Sequence, residues 1–393
     1  MTAYEETIKN RFTGCLLGGA LGDALGWDVE FDSLEEIVER HGSQGILEPV
    51  ANQAGLYEIT DDTQMTLFTA EGILQAWASA RHFGPPPDFQ RCLHQAYRRW
   101  LHTQGEGGGE TTGCWLLTIP GLHARRAPGN SCLSAVKESR CGTLQDRIND
   151  SKGCGGVMRV APIGLLAVRI IDGEPHDKAR FAFELGCIAA AITHGHPSGH
   201  LPAGFLAALI TLLTLDTALE PAVEELLSLL ETRQDAEETV AAIRSALELF
   251  RDSNVKPGPE AVESLGSGWV GEEALAIAIY CALSAQGDLV KGLQLAVNHS
   301  GDSDSTGSIT GNLLGASVGV QGLPQTWLEK LECADIITQM AEDLHAAFKG
   351  TQYWLERYLP DFQKVCRSSA VTHLGVLAGS VRKSPIEQQT DIV

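Results

Sequence analysis

A chain of 393 residues with 44% hydrophobic side chains has enough apolar material for one large or two smaller cored domains. Its net charge of −21, from 50 acidic against 29 basic side chains, excludes a general nucleic-acid binder, which needs a basic surplus against phosphate. The polar start MTAYEETIKNRF has no signal-peptide core, and no C-x-x-C pair occurs among ten cysteines. The expectation is a cytoplasmic protein with reduced thiols and no membrane association.

Phe12–Gly26 places Gly18, Gly22 and Gly26 at every fourth position, which predicts a helix with one face made for close packing. Asp23 on that helix and Glu30 just beyond it read as solvated carboxylates. No G-x-G-x-x-G occurs there, so a dinucleotide fold is unsupported. Thr60-Asp61-Asp62-Thr63 precedes a helical pattern of Met65, Leu67, Phe68, Ile73 and Leu74. A hydroxyl cap followed by acids in the first turn accounts for one such segment on its own. Phe89–Leu101 reads as a helix. The glycine-rich run 105–113 reads either as a lid over a site or as a plain surface loop.

Lys152–Arg159 carries Gly153, Gly155 and Gly156 ahead of an apolar helix, a form that lets backbone N–H groups approach phosphate closely. The spacing is not that of a P-loop. Ser134-x-x-Lys137 lacks the K-T-G and S-D-N companions of a β-lactamase. His194, His196 and His200 stand near one another but lack H-E-x-x-H or a cysteine pair, so a polar turn at a pocket rim is preferred to a zinc site. The apolar run 203–215 is too short to span a bilayer and reads as a core helix. Residues 216–252 form acidic peripheral helices, 273–297 a buried helix pair, 324–358 two more helices, and 366–393 a flexible tail. Helical period prevails and alternating strand patterns are scarce. The fold class is therefore all-α, a compact domain of a dozen or so helices over 1–365.

Val297–Ala316, VNHSGDSDSTGSITGNLLGA, is the most informative stretch. Asp302 and Asp304 precede a buried helix marked by Ile309, Leu313 and Leu314, with Gly301 and Gly307 freeing the backbone. Capping needs one of these carboxylates, not two. An EF-hand is excluded because its twelfth position is Leu313, where a bidentate Glu is required. Asp61, Asp62, Asp302 and Asp304 thus form two matching acidic helix starts. If they converge, each pair about 4 Å apart repels by roughly 4 kcal/mol at an effective dielectric of about 20. Two divalent cations would balance four carboxylates, and an all-oxygen donor set selects Mg²⁺, Mn²⁺ or Ca²⁺. Periodicity does not establish the convergence.

The segments GCLLGGALGDALGWDVEF (14–31), ITDDTQMTL (59–67), GCGGVMRVAPIGL (153–165), THGHP (193–197) and NHSGDSDSTGSITGNLLGA (298–316) occur in this order. Together they resemble the ADP-ribosylglycohydrolase family over about residues 11–320. The resemblance implies a single orthogonal multi-helix bundle with two Mg²⁺ ions, replaceable by Mn²⁺, in a central cleft. Thr60, Asp61 and Asp62 would match the first ligand group. Asp302, Asp304 and Ser305 would match the second, with Asp304 bridging and Ser305 standing where many members carry Thr. Glu30 would lie near the scissile bond, and Glu30, Asp62 and Asp304 would be the catalytic residues. Gly153, Gly155, Gly156, Val157, Met158 and Arg159 would hold the ADP-ribose phosphates and distal ribose, with His194 near the substrate ribose. Cys154 stands where Asn or Ser is frequent. The implied activity is release of ADP-ribose from ADP-ribosylated protein, with the arginine linkage favoured. The alternatives are an O-linked serine adduct, an ADP-ribosyl metabolite, or a protein that binds ADP-ribose without turning it over or serves a structural role.

Overall fold

The computed structural model describes residues 2–109 and 115–359. The predicted tail at 366–393 and part of the 105–113 run lie outside them. The described residues contain seventeen α-helices, short 3-10 turns, three isolated β-bridges and no strand. In chain order the helices are α1 (Ala3–Gly26), α2 (Leu34–His41), α3 (Asp61–Phe83), α4 (Phe89–Thr103), α5 (Asn130–Lys137), α6 (Ala161–Ile170), α7 (Pro175–Ala191), α8 (Pro197–Thr214) and α9 (Leu219–Leu230). They continue with α10 (Glu237–Arg251), α11 (Pro259–Glu263), α12 (Gly271–Ala285), α13 (Leu289–Val297), α14 (Ser303–Val318), α15 (Gln325–Leu328), α16 (Ala334–Ala346) and α17 (Gln352–Tyr358). The all-α expectation holds. Residues 324–358 carry three helices rather than two, because the four-residue α15 is too short to leave a periodic trace.

The most extensive helix–helix contact joins two elements far apart in sequence, α1 and α14. They run antiparallel with Gly14 opposite Gly315, Gly18 opposite Gly311, and Gly22 opposite Gly307. A Cβ added to Gly18 would lie 2.4 Å from the Gly311 carbonyl oxygen, and one on Gly22 would lie 2.0 Å from that of Gly307. The backbones therefore touch, at a separation that no larger residue permits. Asn312 fastens the pair, its Nδ2 donating to the Cys15 carbonyl at 2.8 Å. The Gly18–Gly22–Gly26 stripe was legible in the sequence. Its partner stripe, Gly307–Gly311–Gly315, has the same spacing.

Helices α8, α12, α13 and α16 pack around this pair, and the buried apolar side chains form one connected core. Helix α8 extends six residues before the apolar run and continues through Pro202, giving a helix long and apolar enough to cross a membrane by length and composition. All of it is buried within the protein, as a core helix. Helices α9 and α10 are amphipathic and bury Val223, Leu226, Leu230, Ile243 and Leu247 on one side. Eight described cysteines are free thiols.

Replacing Gly22 with Ala should destabilise the protein by about 1–3 kcal/mol, because the added methyl must force α1 and α14 apart. Gly258→Ala, whose Cβ would meet nothing closer than 3.8 Å, serves as the control and should leave the urea midpoint nearly unchanged. Equal midpoints for both variants would contradict this packing.

Candidate functional site

The α1–α14 contact ends where the chemistry begins. At its last step Gly26 lies against the Ser303 carbonyl and the Asp304 N–H. This brings the end of α1 onto the first turn of α14. One turn back on α1, Asp23 is fully buried and receives the Thr60 and Thr63 backbone N–H groups and the Thr63 hydroxyl. Asp23 thus caps the start of α3 from another helix. The expectation of a solvated Asp23 is wrong, since this carboxylate sits amid Gly, Ala and Leu on a helix buried on every side. That setting was the available signal. Through Gly26 and Asp23, α1 holds both acidic helix starts side by side.

The two starts converge on a cleft of about 190 Å³, lined by Glu30, Asp61, Asp62, Asp302, Asp304 and Ser305 among others. Ser305 Oγ donates to Asp62 Oδ2 at 3.2 Å, which joins the α14 and α3 segments directly. Asp61 Oδ2 accepts from Gly129 N–H at 3.3 Å, and Asp302 Oδ2 from the Cys154 thiol at 2.7 Å. Asp302 occupies the N-cap position of α14, yet its side chain makes no capping bond. Gly301 enters that helix at φ +152°, and a Cβ there would lie 2.0 Å from the Ser267 carbonyl oxygen. Oxygens of Glu30, Asp302 and Asp304 lie within 4.8 Å of one another, close enough to share one ion. Glu30 Oε2 and Asp62 Oδ1 are buried with no hydrogen-bond partner.

Burial dominates the electrostatics. It pushes Glu30 up to about 9, helped by the charges of Asp302, Asp61 and Asp23. It raises Asp61, Asp62 and Asp304 well above the carboxylate range, reinforced by neighbouring carboxylates, and raises Asp302 as well. Asp23 is pushed up to about 6 by burial against the opposing hydrogen bonds from Thr63 and Thr60. Among the described residues, no Lys or Arg lines the cleft to offset this charge. Oxygen donors, orphaned carboxylate atoms and missing cationic side chains together fit a hard divalent cation.

The opposite wall is the segment 151–158. It is tied to the 269–271 segment by Cys154 N–H to the Trp269 carbonyl at 3.1 Å and by Gly271 N–H to the Lys152 carbonyl at 2.8 Å. Gly153, Cys154, Gly155, Met158 and His194 reach the cleft. Gly156, Val157 and Arg159, expected at the substrate, do not line it. Gly156 packs against the Gly199 carbonyl, and Val157 is fully buried. Arg159 turns inward because its guanidinium finds better partners there. It stacks on Tyr97 at 4.3 Å and donates to the Ala189 carbonyl at 3.1 Å and Thr193 Oγ1 at 2.7 Å. Thr60 lies beneath the floor, its hydroxyl accepting the Asp62 N–H.

Arg159 nevertheless acts on the cleft through His194. Thr193 Oγ1 accepts from Arg159 and stands 2.8 Å from His194 Nδ1. The same hydroxyl lies 3.4 Å from the Ala190 carbonyl, and His194 Nε2 borders Gly153. Burial and the Arg159 charge push His194 down to about 3, so it is neutral. His196 is used locally, its Nδ1 accepting the Ser198 N–H at the start of α8. Asn130, Ser131, Cys132 and Trp269 line the cleft without having been singled out. They sit in loops or on a short helix, where no periodicity marks them. Residues 105–109 of the glycine-rich run are not among the lining residues.

The profile of the ADP-ribosylglycohydrolase family matches residues 4–353, and the chain belongs to that family. ADP-ribosyl hydrolysis is therefore its class of activity. Mouse ADP-ribosylhydrolase ARH3 is 27% identical over 371 residues, covering 86% of this chain and 92% of its own. The ADP-ribosyl-[dinitrogen reductase] glycohydrolase of Rhodospirillum rubrum is 25% identical, covering 83% and 92%. The ADP-ribosylarginine hydrolase Tri1 of Pseudomonas putida is 26% identical, covering 87% and 80%.

For Glu30 and Asp23 the folded pKa lies above the unfolded one, so the protonated form favours folding. That contribution is complete below about pH 4 and is lost as pH rises through about 6 for Asp23 and about 9 for Glu30. In EDTA the melting temperature should therefore fall between about pH 5 and about pH 9. Saturating Mg²⁺ should raise it more at about pH 8 than at about pH 5, as measured by thermal denaturation. A flat profile without metal would contradict the buried-carboxylate account.

Proposed function

We propose that this chain is a Mg²⁺-dependent hydrolase that releases ADP-ribose from ADP-ribosyl-arginine in protein. The observation that carries this reading is the meeting of five carboxylates, Glu30, Asp61, Asp62, Asp302 and Asp304, in one cleft that no Lys or Arg lines among the described residues. Asp61 and Asp62, with Thr60 from below, would hold one ion. Asp302 and Ser305 would hold a second, with Asp304 between them. When bound, the ions supply the positive charge that holds the ribose 2″ and 3″ hydroxyls.

The chain's own groups do the rest. With the charge of the ions keeping the carboxylates ionised, Glu30 or Asp62, each with a buried oxygen that has no partner, would hold the attacking water and receive its proton. Water adds at C1″, the bond from C1″ to the leaving nitrogen breaks, and that nitrogen takes up a proton to leave as neutral or protonated guanidine. Asp62 and Asp304 face the oxocarbenium-like charge that develops on the sugar. His194 Nε2 and the backbone at Gly153 and Gly155 border the place of the ADP-ribose oxygens, with the Gly153 N–H held by Ser151 Oγ at 3.2 Å. The arginine preference is supported by the acidity of the cleft and by Trp269 at its mouth. Trp269 is 41% exposed and stacks on Phe31 with ring centroids 5.6 Å apart, a flat aromatic surface suited to a guanidinium. The name of the Pseudomonas relative points the same way.

The test is incubation with arginine-linked and serine-linked ADP-ribosyl peptides, with Mg²⁺ and with EDTA, following free ADP-ribose. Arginine release that EDTA abolishes is expected. Asp304→Ala should lower that rate by about a hundredfold or more, equivalent to several kcal/mol. Release from serine alone would replace the linkage assignment, and undiminished hydrolysis by Asp304→Ala would remove the metal assignment.

A further inference from the structure

Two thiols line the cleft, and they differ in what they touch. Cys132 is engaged by other groups, its Sγ held by Arg159 at 3.3 Å and by the Gly155 carbonyl at 3.9 Å. Cys154 Sγ points into the acidic cluster, 2.7 Å from Asp302 Oδ2 and 3.6 Å from Ser305 Oγ. Its backbone leaves it little choice. The Cys154 N–H is bonded to Trp269, and its carbonyl takes the Val157 N–H at 2.8 Å. Glycines on both sides rest against the His194 ring, at 3.2 Å for a Cβ on Gly153 and 3.1 Å for one on Gly155. Larger residues there would shift the loop and carry the thiol with it. Around the same point Glu30 Oε2 and Asp62 Oδ1 are buried and unpartnered, with Asp62 only 2% exposed. These orphan oxygens face the place a cation would take, and the sulfur borders it.

We propose that Cys154 is a sulfur ligand of this centre. With Asp302, Asp304 and Ser305 it forms a mixed oxygen–sulfur position that takes a thiophilic divalent cation such as Co²⁺, Zn²⁺ or Cd²⁺. The position at Asp61 and Asp62 keeps oxygen donors only. The inference rests on the metal-centre reading given under Proposed function. In the binding step the S–H bond breaks, the sulfur–metal bond forms, and the proton passes to buffer. Mg²⁺, a hard ion, is held through the oxygens alone and leaves the thiol protonated. Cys154 therefore sets which metals compete with Mg²⁺, a property that an oxygen or amide side chain at this position would not confer.

Full-length protein stripped with EDTA is titrated with Co²⁺, followed by electronic absorption and by calorimetry in two buffers of different ionisation enthalpy. A near-ultraviolet sulfur-to-cobalt charge-transfer band should grow in, with a proton released as it does. Cys154→Ser should lose the band while keeping the visible cobalt bands of an oxygen site, and Cys132→Ser should retain it. Zn²⁺ affinity should fall at least about tenfold in Cys154→Ser, with Mg²⁺ affinity changed less than about twofold. Visible cobalt bands without the charge-transfer band in the wild type would overturn sulfur ligation and leave the oxygen centre standing. Persistence of the band in Cys154→Ser would do the same. Failure of the wild type to bind Co²⁺ at all would overturn both the sulfur ligand and the centre. If Cys154→Ser proves unfolded by circular dichroism, alkylation of the wild type read by mass spectrometry decides. Cd²⁺ should protect Cys154 where Mg²⁺ does not, and equal labelling under both ions would overturn the proposal.

Discussion

Two stripes of glycine meet backbone to backbone, and the placement of every reactive group depends on that contact. With Gly18 against Gly311 and Gly22 against Gly307, the registers of α1 and α14 are locked to each other. Any side chain at these positions would separate the helices and let them slide. Because they cannot slide, Gly26 delivers the start of α14 to the end of α1, and Asp23, a turn earlier, holds the start of α3 by its free N–H groups. Two helix ends, each carrying a pair of acids, are thereby set side by side by a third helix that contributes no ligand of its own.

This arrangement works against the stability of the fold. Burying Asp61, Asp62, Asp302 and Asp304 together raises the pKa of each, and no arginine or lysine among the described residues lines the cleft. Elsewhere the protein compensates buried charge in the usual way. Glu71 and Arg99 meet at 2.9 Å in the core, and Asp343 is joined by Arg357 and Tyr358. The contrast within one molecule identifies the cleft as a place where local strain is tolerated for binding. Arg159 shows the reverse case, a buried cation served by a carbonyl, a hydroxyl and an aromatic face instead of an acid.

Much of this was legible in the chain. Helical period gave the fold class, and Asp61–Asp62 and Asp302–Asp304 stood out as an over-supply of capping groups. Their convergence was not legible, because periodicity describes one helix at a time and the link between them runs through α1. Asp23 was misread for the same reason, since its partners are the N–H groups of another segment. Arg159 was assigned to the substrate on resemblance, whereas its side chain lies behind the wall with Tyr97. Trp269 carried no signal, being a single aromatic residue in a loop whose neighbours have no pattern.

The same glycine contact has a consequence for how the chain acquires its shape. Asn312 donates to the Cys15 carbonyl across 297 residues of sequence, and helices α8, α12, α13 and α16 pack around the pair. Contacts of such long range close late and slowly, since the loop entropy is lost before the contact is gained. The acidic cleft is thus among the last features to form as the chain emerges from synthesis. Until α14 is made, the glycine face of α1 has no partner, and the two acidic helix starts have nothing to hold them in register.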